Sequence, residues 1–281
     1  MLRGESELVD TNVLVLGLVA GLTIFIGLPV ARLSKVSARW RGILNSLAIG
    51  VLLFLLVEIA VHAFEPVEEA FVGAADGTGS LSSALLMGAV FAGGFLLGLL
   101  SLVVFEARFV RVAATAPGGG LIGRIARTPM ERVALMIAFG IGLHNFSEGL
   151  AIGAAAAAGA MSFAVFLAVG FGLHNATEGF GIAAPLAGSP PPWKFILVAG
   201  LIAGGPTFLG TLVGSGFTDE RLSVLFLSLS AGALIYVIRE LLHHGRGASA
   251  DPKDGFVVTG AIGIGFILGV ATEVALKVAG G

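Results

Sequence analysis

The chain has 281 residues, of which 56% are hydrophobic and only 12% charged, about half the charged share of an ordinary soluble domain. That balance excludes a soluble globular protein, and a formal net charge of −2 gives no electrostatic reason to expect nucleic acid as a partner. The absence of cysteine rules out disulfides and thiolate ligands, while 43 glycines suit helices that approach closely within lipid.

The opening residues, Met1-Leu-Arg-Gly-Glu-Ser-Glu7, are acidic, unlike the basic start of a cleaved signal peptide. Eight apolar segments follow, at 11–31, 43–63, 83–105, 132–157, 162–186, 194–214, 222–242 and 255–277. Each is close to the roughly 20 residues a bilayer core requires, and each is expected to be a helix, because a chain in lipid must satisfy its own backbone. The expected fold is an all-α membrane protein, with residues 1–281 forming a single polytopic domain.

Charges between the segments set an expected orientation. Arg32, Lys35, Arg39 and Arg41 follow the first segment, and Glu65, Glu68, Glu69 and Asp76 follow the second. Arg108, Arg111, Arg124, Arg127 and Arg132 surround the long connection after the third, and Lys194, Arg239, Arg246 and Lys253 complete the basic side. Thirteen of the 16 Lys and Arg residues then share one side, which places both termini on the outer face by the positive-inside rule. The acidic connection 65–80 reads as a solvated loop that could also concentrate cations. The connection 108–129, with Ala116-Pro-Gly-Gly-Gly120, is expected to be flexible.

Segment two carries Glu58 and His62, four residues apart. A carboxylate in mid-membrane must face the protein interior, so Glu58 is a candidate for a cation path, against a purely structural partner. His62 is either part of that path or solvated at the interface.

Segments four and five hold one phrase written twice: Gly142-Leu-His-Asn-Phe-Ser-Glu-Gly149 and Gly172-Leu-His-Asn-Ala-Thr-Glu-Gly179. Within each copy His and Glu are four apart, so on a helix they share a face. With a reversal between Gly159 and Ser162, His144 comes level with Glu178 and Glu148 with His174, giving two mixed layers about 6 Å apart. Asn145 and Asn175 add amide oxygens on adjoining faces. Imidazole with carboxylate suits Zn²⁺, Fe²⁺ or Mn²⁺, whereas all-oxygen sites favour Mg²⁺ or Ca²⁺. The candidate ligands are therefore His144, Asn145, Glu148, His174, Asn175 and Glu178, with Glu58 nearby, at a site between helices four and five. The competing reading is a hydrogen-bonded His–Glu network that clamps the two helices.

Pro185 and Pro206 interrupt segments five and six and can free carbonyls. Segment seven ends with Glu240, His243 and His244 at helical spacing. These form either an exit or regulatory site on the path, or an interfacial cluster in which Arg239 pairs with Glu240. Glu273 reaches the interface near the end of segment eight.

The paired phrase resembles the ZIP family of divalent-metal transporters, whose fourth and fifth helices carry His-Asn-x-x-Glu-Gly. Its prokaryotic and zinc-uptake branches show His-Asn-Phe-Pro-Glu-Gly and His-Asn-Ile-Pro-Glu-Gly, and this chain is identified as of the prokaryotic type. The resemblance implies eight helices with both ends outside, a two-metal centre formed by His144, Glu148, His174 and Glu178 with Asn145 and Asn175 contributing, and a further acidic ligand at Glu58. It also implies inward movement of Zn²⁺ or a similar ion (Fe²⁺, Mn²⁺, Cd²⁺) as substrate, with no catalytic cofactor, by rocking or elevator-like motion of one helix bundle against another. A multi-pass protein of the cell (inner or plasma) membrane is expected, with lipid and metal ion as partners, and the resemblance allows a homodimer. Three departures stand out. Ser147 and Thr177 replace the motif prolines, Gly205-Pro206 stands where many members have Glu-Pro, and the long inner loop lacks histidine.

The enzyme alternative is an intramembrane zinc-dependent hydrolase, in which metal activates water. The chain has no His-Glu-x-x-His and no clear three-ligand open site, so it is not expected to be an enzyme. A metal sensor or receptor without flux is a third reading. Because only neutral imidazole binds metal, metal affinity should fall as pH drops from about 7.5 to about 5.5 and His144 and His174 protonate. Equilibrium zinc binding across that range checks this, and an unchanged affinity would argue against histidine ligation.

Overall fold

Why the chain is helical follows from its medium: with no water to bond backbone groups, each segment closes its own hydrogen bonds. The computed structural model describes residues 11–33, 37–110, 120–216, 219–245 and 252–280, and no strand occurs among them. Helix α1 (Thr11–Leu22) continues through a short helix Ile24–Gly27 and a 3-10 turn Leu28–Arg32. Helix α2 (Ala38–Ala75) leads into α3 (Leu81–Phe105), which ends in a π-helical turn Glu106–Val110. A short helix Gly120–Ile125 precedes α4 (Pro129–Ala157), followed by α5 (Met161–Ala183) with a 3-10 turn Ala184–Leu186. Helices α6 (Trp193–Gly214), α7 (Glu220–Gly245) and α8 (Pro252–Gly280) complete the chain.

Among the described residues, seven helices are long and apolar enough to cross a membrane, within Thr11–Arg32, Arg39–Ala75, Leu81–Arg108, Pro129–Ala157, Trp193–Gly214, Glu220–His243 and Gly255–Ala275. Helix α5 is 23 residues long but is not one of the seven. Its His174, Asn175, Thr177 and Glu178 dilute the apolar content on which such a criterion rests.

Two expectations about connections change. Helix α2 has 38 residues, about 57 Å at helical rise, rather than the expected 43–63. Glu65, Glu68 and Glu69 therefore sit on a helix and not in a loop. The helix persists because Val67 is buried beyond Pro66 and packs with Met87 of α3 and Val224 of α7, which outweighs the donor a proline removes. The connection 108–129 contains a helical turn at its end, and its expected flexibility, centred on residues 111–119, lies outside the described residues.

Local signals explain where the site-bearing helices begin and end. Thr128 caps α4 by accepting from Glu131 N at 3.1 Å, while Glu131 Oε2 accepts from Thr128 N at 3.0 Å. This reciprocal capping box has Pro129 at the first helical position, where its missing N–H costs nothing. The reversal between α4 and α5 turns at Gly159, whose φ of +79° favours glycine.

The helices pack in two groups. Helices α1, α4, α5 and α6 pack mainly on one another, as do α2, α3, α7 and α8, and the groups meet where α4 crosses α7 and α5 approaches α2 and α8. The first group is drawn close by small residues. A Cβ on Gly149 of α4 would strike the Thr207 carbonyl, one on Gly210 of α6 the Phe146 carbonyl, and one on Gly179 of α5 the Ile24 carbonyl. At the end carrying the basic connections, Arg41 donates to Ala187 O at 3.1 Å and Arg32 to Pro191 O at 2.6 Å, so the α5–α6 connection is tied to α1 and α2.

The contrast between two glycines is testable. Gly210→Val should destabilise the protein by about 2 kcal/mol or more, since backbone and not a movable side chain blocks it. Gly205→Ala should be neutral, because no atom lies within 4 Å of the added methyl. Thermal unfolding in detergent, followed by loss of the monodisperse species, measures both.

Candidate metal site

The two copies of the repeated phrase, on α4 and α5, meet where the first helix group faces the second. His144, Asn145, Glu148, His174, Asn175 and Glu178 are all buried, none more than 4% exposed. His144 Nε2 lies 3.2 Å from Glu148 Oε1 on its own helix and 3.4 Å from Glu178 Oε1 on α5. An antiparallel pair of α4 and α5 thus brings His144 level with Glu178, as the spacing implies.

The second layer does not form in the same way. Among the described residues Glu148 makes its ion pair with His144, and His174 turns instead to α8, its Nε2 3.2 Å from Thr272 Oγ1. The reason is packing: α5 lies against α8 as well as α4, and the Thr272 hydroxyl of α8 takes the His174 ring. No three His, Asp or Glu side chains among the described residues enclose a common ligand point. The trio His144, Glu148 and Glu178 is drawn together nitrogen to oxygen, so a cation would enter by parting these contacts.

The asparagines act as anchors. Asn145 Nδ2 donates to Ala203 O of α6 at 3.0 Å, and Asn175 Nδ2 donates to Ala20 O of α1 at 3.0 Å. Each amide thereby commits one N–H to a helix carbonyl and leaves Oδ1 without a hydrogen bond. The hydroxyls that replace the motif prolines behave alike: Ser147 donates to His144 O and Thr177 to His174 O, both at 2.7 Å. Both helices continue unbroken through these positions, as back-bonding hydroxyls allow.

Ten buried side-chain polar atoms make no hydrogen bond among the described residues, and eight belong to this cluster. Three of these, His144 Nε2, Glu148 Oε1 and Glu178 Oε1, are in contact with one another, while His174 Nδ1, Glu148 Oε2, Glu178 Oε2 and Oδ1 of Asn145 and Asn175 are not in those contacts. At about 1–3 kcal/mol for each such atom, a structural clamp would be an expensive arrangement. Two imidazole nitrogens and six oxygens, all acceptors when the carboxylates are ionised, make a donor set for a borderline transition-metal cation. A hydrogen-bonded clamp would leave few such atoms.

The outlying candidates are not gathered into this cluster. Glu58 is half-buried on α2 and faces the carboxyl of Glu273 on α8 at hydrogen-bond range, with His62 and Glu148 among its charged neighbours. His62 is exposed, and its Nδ1 bonds the Glu58 backbone carbonyl at 2.9 Å. Glu273 also pairs with Lys277 at 3.1 Å. At the other end Glu240 is buried and ion-paired with Arg239, whose guanidinium lies over the Tyr236 ring at 5.1 Å. Tyr236 in turn donates to Glu106 at 3.0 Å. His243 sits one turn beyond Glu240, and the His244 side chain lies outside the described residues.

Sequence reading missed four contributors. Ser230 on α7 lies 3.0 Å from His144 Nδ1, Thr272 holds His174, and the Ala203 and Ala20 carbonyls hold the asparagines. Ser230 opens the segment-seven stretch Ser230-Ala-Gly-Ala-Leu-Ile-Tyr-Val, which resembles the family without marking the hydroxyl as a contact. Nothing marks Thr272 or the two carbonyls, because a single hydroxyl or backbone carbonyl carries no pattern. Gly205, which stands where many members have a glutamate, is only partly buried. Gly205 lines an apolar groove of about 720 Å³ with Leu143, Phe146 and Phe208. On α6 it is Ala203 that reaches the site, and Thr207 brings a buried hydroxyl without a partner.

A family model described as ZIP zinc transporter matches residues 124–268, more than half of the 281-residue chain and inclusive of both copies of the repeat. Comparison with curated proteins yields no match. The chain therefore belongs to the ZIP family, whose members carry divalent metal ions across membranes and are transporters rather than enzymes.

Proposed function

We propose that this protein imports divalent transition-metal ions into the cytoplasm, zinc first and iron, manganese or cadmium next, through the buried His/Glu/Asn cluster. The observation that carries this reading is the concentration on the repeated phrase of eight buried polar atoms that make no hydrogen bond, three of them held only by contacts within the cluster itself. An ion surrenders its waters only where ligands replace them, and these atoms are the replacements. His144, Glu148 and Glu178 offer the first foothold. His174, Asn145 and Asn175 extend it, and Glu58 adds an acidic group toward α8. His62 on one side, with Glu240, His243 and His244 on the other, are proposed as path residues.

The proposed topology has eight crossings, α5 among them, both termini outside, in the cell membrane. Helix α5 qualifies in this reading despite its polar residues, because they face protein and not lipid: His174, Asn175 and Glu178 are buried while Phe163, Val169 and Leu173 are exposed. The donors ride on α4 and α5, and the boundary between the two helix groups passes beside them. Movement of one group against the other would carry the ion from one side to the other. Each protomer holds its own cluster, so a homodimer would contain two such paths.

Radiolabelled zinc uptake into proteoliposomes under an inward gradient tests the proposal. Wild type should show saturable uptake, and Glu178→Ala and His144→Ala should each reduce it at least about tenfold while eluting as folded protein. Equal uptake in variants and wild type would return the cluster to a structural role. Stoichiometric zinc binding by wild type without flux would favour a hydrolase or sensor instead.

A further inference from the structure

We infer that Thr272 positions His174 for the cation by holding its imidazole with Nε2 protonated and Nδ1 bare. The inference rests on the site reading above and follows from where the Thr272 hydroxyl hydrogen goes. Thr272 Oγ1 lies 2.7 Å from Gly269 O and 3.2 Å from Leu268 O, and both carbonyls can only accept. The one hydroxyl hydrogen is therefore committed to the helix, leaving lone pairs on Oγ1. At 3.2 Å from that oxygen, His174 Nε2 must be the donor, and it carries the ring proton. Neutral imidazole has one N–H, so Nδ1 presents its lone pair. That atom is buried and has no partner among the described residues. The nitrogen opposite a fixed hydrogen bond is the one that takes a metal.

His144 is held differently. Its Nδ1 meets Ser230 Oγ at 3.0 Å, and its Nε2 faces Glu148 and Glu178. A serine hydroxyl can rotate to donate or accept, so the proton on His144 can move between nitrogens as the carboxylates pair with it or with a cation. The two histidines are thus unequal: Thr272 holds one ready through Nδ1, while the other exchanges a carboxylate contact for the ion through Nε2. Both hydroxyls come from the second helix group, α7 and α8, whereas the histidines sit on α4 and α5. The positioning of each ligand therefore depends on how the groups are docked.

Long-range proton–nitrogen NMR of the full chain in lipid nanodiscs, with heavy-nitrogen histidine and no metal, reads the tautomer directly. The chain has 5 histidines, and a His174→Gln spectrum assigns the signal. Wild-type His174 should show a protonated Nε2 and a bare Nδ1, and zinc alone should shift Nδ1. Thr272→Val should scramble that signature and weaken zinc binding by about 10–100-fold, and Thr272→Ser should restore both. A wild-type His174 protonated at Nδ1, or a Thr272→Val protein with unchanged tautomer and affinity, would overturn the inference while leaving the site reading intact. The wild-type spectrum decides even if Thr272→Val fails to fold. A correct tautomer that zinc leaves unmoved would overturn both the inference and the assignment of His174 to the site.

Discussion

Burying ionisable side chains at membrane depth is the constraint on which this structure turns. A carboxylate there needs a counter-charge or donors, and lipid supplies neither. Glu148 and Glu178 meet it by converging on one nitrogen, His144 Nε2, buried where α4 and α5 face α7 and α8. That placement requires α4 and α5 to be enclosed, and enclosure requires neighbouring backbones to approach very closely. Glycines at 149, 179 and 210, pressed against carbonyls of the facing helices, are what allow it. The small residues and the charged residues are therefore two parts of one solution.

The two halves of the repeat are held by matched devices. Asn145 fastens α4 to α6 and Asn175 fastens α5 to α1, each through its amide nitrogen to a helix carbonyl at 3.0 Å. Ser147 and Thr177 each return a bond to the carbonyl of the neighbouring histidine. These contacts commit donors of the asparagines and hydroxyls to helix carbonyls and leave buried acceptors on the asparagine side chains.

The contacts between helix groups have a different character. Within the first group, backbone meets backbone through glycine. At the site, the groups touch through polar side chains, His144 with Ser230 and His174 with Thr272. Hydrogen bonds of that kind can be exchanged for others at modest net cost, whereas interdigitated backbones cannot part without exposing what they bury. The site thus lies on the boundary between the two groups, beside the apolar core that both share.

Much of this was legible in the sequence because it depends on local pattern. Apolar length specifies the spans, the charge between them suggests an orientation, and two copies of His-Asn-x-x-Glu-Gly at helical spacing identify the donors before any fold is known. The reversal at Gly159 is equally local. What only tertiary structure decided depends on how helices cross. Register alone suggested that Glu148 would meet His174, yet the packing of α5 on α8 directs His174 to Thr272. Gly205 stands where many members have a glutamate, but on α6 it lines an apolar groove, and Ala203 O is what meets Asn145. The length of α2 was hidden too, because Pro66 and four acidic residues look like a loop until Val67 is seen packing between α3 and α7. Spacing along a chain determines which side chains share a helix face; the angle between helices, set by backbones in contact, determines which faces meet.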